Sequence, residues 1–143
     1  MPTRTATTTW SGDLQHGTGA IALTSSGLSG FDVSFPKRAA DEAGGSTSPE
    51  ELIAAAHSSC YAMQFSALLG TAGATDIALD VAADVTLRPD PAGGFQISGI
   101  VLHVAGSAAG VDVDTFAKLA EEAKAGCPVS KALTGTSITL DLG

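Results

Sequence analysis

Ser48-Pro49-Glu50-Glu51-Leu52-Ile53-Ala54-Ala55-Ala56-His57-Ser58-Ser59-Cys60 is the stretch on which the fold turns. Ser48 is a natural helix N-cap, and Pro49 suits the first helical position because its missing N–H would be unsatisfied there anyway. Glu51 stands where it can complete a capping box with Ser48. An apolar stripe follows through Leu52, Ala56, Cys60, Met63 and Ala67, widened by Ile53, Leu68 and Leu69. Gly70 is the expected stop. Because this helix is apolar around most of its circumference, it is expected to be central and buried.

Upstream the chain reads as strands and turns. Thr5 to Trp10 and Thr18 to Leu23 are rich in β-branched or apolar residues and are bounded by Ser11-Gly12-Asp13 and Ser25-Ser26-Gly27. Phe31, Val33 and Phe35 alternate with polar residues, predicting a third strand that ends at Pro36, followed by a loop over Lys37 to Thr47. Downstream, Ile77 to Leu87 and Phe95 to Val104 read as a hairpin. Its apolar parity slips at Ser98-Gly99, which predicts a bulge. A second helix follows Val111, capped by Asp112 or Asp114, with Val113, Phe116, Ala120 and Ala123 as its buried face. Cys127 then stands as the N-cap of a short helix over Pro128 to Leu133, and Ile138, Leu140 and Leu142 alternate as a last strand. Strands cluster instead of alternating with helices, so the expectation is an α+β fold with antiparallel pairing, in one domain over residues 1–143.

Composition narrows the function. The 143 residues are 44% hydrophobic but only 5% aromatic, so the core is built from small aliphatic side chains, and oligomerisation is a natural way to gain burial. A formal net charge of -8, with seven Lys and Arg scattered through the chain, argues against nucleic acid and against an anionic membrane surface. No stretch approaches ~18 consecutive apolar residues, and Met1 to Trp10 lacks the apolar core of a signal peptide, so a cytoplasmic location is expected. Two cysteines in a reducing compartment are more often redox-active, catalytic or metal-binding than a permanent staple.

A lone Cys60 on an apolar helix face would be read as a small buried hydrophobe. It lies about three turns into its helix, too far for the dipole to ionise it, so activation requires a cation. Arg38 is the first candidate because it stays charged when buried; Lys37 is the alternative. Cys127, between Gly126 and Pro128, has a setting that favours thiolate if a helix starts there. Glu51 has a capping role, which leaves Glu50 available to a site. Glu50 is ten residues before Cys60, roughly 15 Å along one helix; a shared site requires different subunits or a broken helix, and different subunits are predicted. His57, three residues before Cys60, is read as a packed helical histidine, with a Cys-His hydrolase or a metal-ligand role as the functional alternatives. His16 and His103 have no partner nearby in sequence. No HExxH, CxxC, phosphate loop or GxSxG motif occurs, so no metal and no bound cofactor are expected.

The motif from Ser48 to Cys60, taken with Lys124-Ala125-Gly126-Cys127-Pro128-Val129-Ser130, closely resembles the OsmC/Ohr family of osmotically inducible and organic-hydroperoxide-resistance proteins, and its OsmC branch in particular. The resemblance implies an intertwined homodimer in which antiparallel sheets wrap around central helices. It implies Cys60 as the peroxidatic cysteine and Cys127 as the resolving one. Arg38 and Glu50 become the polar pair that activates the thiol across the dimer. The implied activity is reduction of organic hydroperoxides, with hydrogen peroxide a poorer substrate and an external thiol or dithiol as reductant. Two readings compete: a Cys60/His57 hydrolase, and a non-catalytic dimer that binds small apolar ligands.

Overall fold

The computed structural model describes all residues, Met1–Gly143. Ten elements follow in order: β1 (Thr7–Ser11), β2 (Thr18–Leu23), β3 (Leu28–Val33), α1 (Phe35–Arg38), α2 (Pro49–Thr71), β4 (Thr75–Pro89), β5 (Phe95–Ala109), α3 (Val113–Gly126), α4 (Pro128–Ala132) and β6 (Ile138–Asp141). They build two separate three-stranded sheets, and the α+β class expected from the sequence holds. The chain divides into two compact units, Met1–Leu52 and Ile53–Gly143.

In the first unit β1, β2 and β3 form an antiparallel meander. The third strand stops at Val33, short of the Pro36 expected from the alternation. Ser34 intervenes as an N-cap whose side chain accepts from the Lys37 N–H, and Pro36 sits in the first turn, so Phe35 to Arg38 close a short helix. Arg38 therefore belongs to a helical turn and not to the structureless loop. At the next helix start, the Glu51 N–H donates to Ser48 Oγ at 3.1 Å, which is one half of the capping box. The other half is replaced: the Glu51 carboxylate accepts from Thr47 Oγ1 at 2.6 Å.

In the second unit β4 and β5 pair antiparallel over most of their length, with Thr86 opposite Gly99 and Leu87 opposite Ile97. Ser98 is thus the extra residue of the predicted bulge, and it resets the parity so that Ile100, Leu102 and Val104 face inward and are buried. The last strand departs from expectation. β6 pairs parallel to β5, because the chain returns through α3 and α4 before adding its strand.

α2 presents a different face to the core from the one predicted. His57, Tyr61, Phe65 and Leu69, spaced four apart, are fully buried, whereas Ala56, Met63 and Ala67 are exposed and Cys60 lies between. The stripe that holds the unit together runs through the aromatics: Tyr61 and Phe65 are 5.8 Å apart between ring centroids, and Phe65 meets Phe116 edge-on at 4.8 Å. These residues join Leu102, Val104, Ala120, Ala123 and Cys127 in one core. α2 ends at Thr71, after Gly70; Gly73 takes the left-handed conformation at φ 85, and the Ala74 N–H bonds back to the Leu69 carbonyl. By length and composition alone α2 is long and apolar enough to cross a membrane, a feature that core helices share. In α3 the cap is Asp112, which accepts from the Thr115 N–H at 2.7 Å. Val113, expected in the buried face, is instead 83% exposed because it lies at the first helical position.

The packing predicts an asymmetry between two apolar truncations. Phe65→Ala should lower unfolding free energy by about 3–5 kcal/mol in urea denaturation. Val113→Ala should change it by less than about 0.5 kcal/mol.

Candidate active site

Cys127 is fixed by its backbone. Its N–H donates to the Ala123 carbonyl at 2.9 Å, closing α3, and its carbonyl accepts from the Lys131 N–H at 3.0 Å, opening α4. Pro128 disfavours the helical conformation for the residue before it, and Cys127 is extended at φ -60, ψ 123. It is thus the junction residue expected from the sequence. Its sulfur is fully buried, and it lies 3.1 Å from the sulfur of Cys60, whose side chain is only partly covered. No bond joins the two sulfurs; both thiols are free.

The two sulfurs differ in how well they carry negative charge. Burial pushes the Cys60 thiol up, and the neighbouring Cys127 pushes it further, against one favourable backbone N–H from Val129. Burial also works against ionisation of Cys127. There the backbone N–H of Ser130, the Cys60 thiol, the Ser130 hydroxyl and the Val129 N–H outweigh it, and its pKa falls below the ordinary thiol value. Within this unit Cys127 is therefore the more readily ionised of the two.

His57 lies beside this pair without touching Cys60 in a hydrogen bond. Its Nε2 is 2.7 Å from Ser130 Oγ, and its Nδ1 is buried without a partner. Burial lowers its pKa, so it stays neutral. Ser130 was not singled out from sequence, although its place three residues after the N-cap Cys127 is where a side chain and an N–H return toward that cap. Tyr61, one turn on, donates its hydroxyl to the Ala120 carbonyl at 3.0 Å.

In the first unit Arg38 and Glu50 meet. Arg38 Nη2 is 2.6 Å from Glu50 Oε1, and Nε approaches Oε2 at 3.1 Å, a forked contact. Glu50 is 8% exposed. Burial pushes its carboxyl up, but the hydrogen bonds and charge of Arg38, its own backbone N–H and Ser48 more than offset this, leaving its pKa below the ordinary carboxylate value. The alternative cation, Lys37, has its amine over Gly44 instead. A cavity of about 240 Å³ lies beside Arg38, walled by Trp10, Leu14, Ile21, Val33 and Phe35.

The remaining histidines are elsewhere. His16 contacts Asp13 at 3.0 Å in a turn. His103 finds partners that its own strand could not reveal: Asp84 on β4 at 2.9 Å and Asp141 on β6 at 3.0 Å.

A close pair of unbonded thiols, one sealed and one reachable, placed on a mid-chain helix and a Gly-Cys-Pro junction, matches a known pattern. The OsmC-like protein family matches residues 42–142. This chain belongs to that family. It is 42% identical to the Peroxiredoxin OsmC of Escherichia coli strain K12 over 132 residues, covering 92% of this chain and 90% of that protein. Its fold is similar to the organic hydroperoxide resistance protein OhrB of Bacillus subtilis, with TM-score 0.73, 29% identity, and coverage of 97% and 98% of the two chains. It is similar also to an organic hydroperoxide resistance protein from Elizabethkingia anophelis, with TM-score 0.75, 26% identity, and coverage of 100% and 98%. The OsmC/Ohr resemblance read from the two cysteine motifs is thereby established.

The Arg38–Glu50 pair gives this OsmC-family chain an acid-sensitive contact. Glu50 ionises more readily in the folded chain than in the unfolded one, so its contribution is complete above the ordinary value of 4.5 and fades as pH falls through the lower folded value. Glu50→Gln should cost about 1–3 kcal/mol of stability at neutral pH. In urea titrations at stepped pH, the gap to the parent protein should close on the acid side.

Proposed function

We propose that this protein is a thiol peroxidase that reduces organic hydroperoxides to alcohols, with Cys60 as the attacking sulfur and Cys127 as the resolving one. The observation that carries this reading is the 3.1 Å separation of two free sulfurs, of which only Cys60 is open to a substrate. The peroxiredoxin and hydroperoxide-resistance names of its relatives support a peroxide-reducing activity.

The cycle balances as follows. The Cys60 thiolate attacks one oxygen of ROOH, the O–O bond breaks, and RO⁻ takes a proton to leave as the alcohol. Cys60 is left as a sulfenic acid, two electrons more oxidised. The Cys127 thiolate then attacks the Cys60 sulfur; the S–S bond forms, the S–OH bond breaks, and the hydroxide leaves as water after taking a proton. At 3.1 Å the sulfurs need only a small approach to bond, so closure can outrun overoxidation. An external dithiol or low-molecular-weight thiol returns the two electrons. Such a cycle fits a reducing cytoplasm.

The first step needs negative charge on Cys60, which burial and Cys127 oppose more strongly than Val129 favours it. A guanidinium would move it there. α2 runs unbroken from Pro49 to Thr71, and ten residues of helix at ~1.5 Å each hold Glu50 and Cys60 roughly 15 Å apart. The Arg38–Glu50 fork is accordingly read as acting on Cys60 of a second copy in a homodimer. The bare apolar face of α2, with Met63 69% exposed, supports such an assembly. Glu50 fixes Arg38, whose remaining donors face the sulfur and the peroxide. The apolar cavity beside Arg38 suits an alkyl or aryl group, which favours organic hydroperoxides over hydrogen peroxide. A Cys60/His57 hydrolase fits less well, because His57 engages Ser130 and the neighbour of Cys60 is a thiol.

Peroxide consumption with cumene hydroperoxide and a dithiol tests the roles. Cys60→Ser should fall to background, Cys127→Ser should accumulate sulfenic and sulfinic acid at Cys60, and hydrogen peroxide should be turned over more slowly by the parent. Arg38→Ala should lose about 10²-fold or more in kcat/KM. Mixing Arg38→Ala chains with Cys60→Ser chains should restore activity to heterodimers, since one of their two sites keeps both groups. Heterodimers with no activity would refute the shared site.

A further inference from the structure

α4 is a five-residue helix, Pro128–Ala132, and a helix so short does not hold its own place. Its position against α2 decides where Cys127 stands, because α4 starts from Cys127. Two contacts between polar side chains join this segment to α2. One is the thiol pair, Cys60 and Cys127, at 3.1 Å. The other lies one turn away on both sides: His57 Nε2 to Ser130 Oγ at 2.7 Å. His57 precedes Cys60 by three residues and Ser130 follows Cys127 by three, so the contacts are neighbouring rungs between segments that run in opposite directions.

The second rung is sealed. His57 is fully buried and Ser130 is 6% exposed. Burial lowers the pKa of His57 and keeps it neutral. Its Nδ1 has no partner. A buried donor without a partner is rarer in proteins than a buried acceptor without one, so the ring proton belongs on Nε2 and His57 donates to Ser130. An imidazole with one nitrogen unpaired in a core costs stability that an aliphatic side chain of similar size would not. Packing alone therefore does not account for it. What His57 supplies and an aliphatic residue cannot is a directed bond to Ser130.

The resolving step makes a demand on placement. The Cys127 sulfur must close from 3.1 Å to the ~2.05 Å of a disulfide. A sulfenic acid that is not met in time goes on to sulfinic acid. A displacement of ~1 Å at a reacting centre can cost on the order of 10²-fold in rate.

We propose that the His57–Ser130 hydrogen bond is a positioning clamp for the resolving step, pinning α4 to α2 so that Cys127 stays within reach of oxidised Cys60. Both are positioning residues, and the proposal needs no contact of either with a sulfur. It rests on the two-cysteine reading. The step it serves is the one already balanced: the Cys127 thiolate attacks, the S–S bond forms, the S–OH bond breaks, and hydroxide leaves as water after taking a proton. The clamp gives and takes no proton.

The test is disulfide closure in a single turnover. The reduced full chain receives a stoichiometric pulse of cumene hydroperoxide, is quenched with a thiol-blocking reagent at timed intervals, and is weighed intact. Closure is timed from the sulfenic acid, so the first step does not enter. Ser130→Ala and His57→Leu should each close about tenfold more slowly than the parent. With excess peroxide both should divert more Cys60 into sulfinic acid. The double variant should be no slower than the slower single one, because both changes remove the same bond. Ser130→Thr, which keeps the hydroxyl, and His57→Gln, whose amide reaches where Nε2 stands, should recover most of the rate. The deficit should be the same factor at neutral and alkaline pH, since placement does not titrate there. Circular dichroism shows which variants are folded, and Ser130→Ala, the smaller change, carries the test if His57→Leu does not fold. Closure at the parent's rate in folded Ser130→Ala overturns the proposal. So does a deficit that vanishes as pH rises, which would assign the pair to the ionisation of Cys127 instead. A parent that forms no disulfide would sink the two-cysteine reading and the clamp together, whereas a parent that closes no faster than its variants would sink the clamp alone.

Discussion

Two sulfur atoms 3.1 Å apart cannot comfortably both be charged, and the second unit is organised around that limit. Burial makes either thiolate costly, so whichever sulfur receives the better donors takes the charge. At the Gly-Cys-Pro junction the Cys127 pKa is lowered, while burial and the neighbouring Cys127 raise that of Cys60. The core then fixes the two backbones against each other. Tyr61, Phe65 and Leu69 anchor α2 on the sheet, and Ala120 and Ala123 let α3 approach closely enough to bring Cys127 up to the helix.

The Arg38–Glu50 fork is the complementary half of the design in the proposed enzyme. Cys60 alone holds its proton; a guanidinium beside it would reverse the order of the two thiols. On this reading the same pair of sulfurs serves both chemical steps, the charge being drawn first to one and then to the other. On this reading the switch needs the presence of a cation for the first step.

Much of this was legible in the sequence where a local rule has one answer. Ser48 and Pro49 start a helix because cap and proline chemistry leave little choice, and the parity slip at Ser98-Gly99 marks an extra residue for the same kind of reason. The two cysteines were marked by their flanking motifs, and Arg38 with Glu50 by charge and by elimination. The buried face of α2 was not legible. A helix apolar on all sides gives periodicity nothing to choose between, and the aromatics at 61 and 65 decide by volume once a sheet is there to receive them. Likewise, the partners of His103 sit on neighbouring strands, and the parallel pairing of β6 depends on how a whole connection returns. Ser130 was missed because a serine in a turn of helix is unremarkable until a buried imidazole is found against it.

The complete burial of Cys127 has a consequence for the recycling half of the proposed cycle. In a Cys60–Cys127 disulfide only one sulfur can be approached from outside. An incoming dithiol would have to form its mixed disulfide with Cys60 and expel Cys127. Thiols of lower pKa depart faster, and the lowered pKa of Cys127 eases its departure. The interior position that hides Cys127 from peroxide would thus also dictate which of the two sulfurs the reductant meets first.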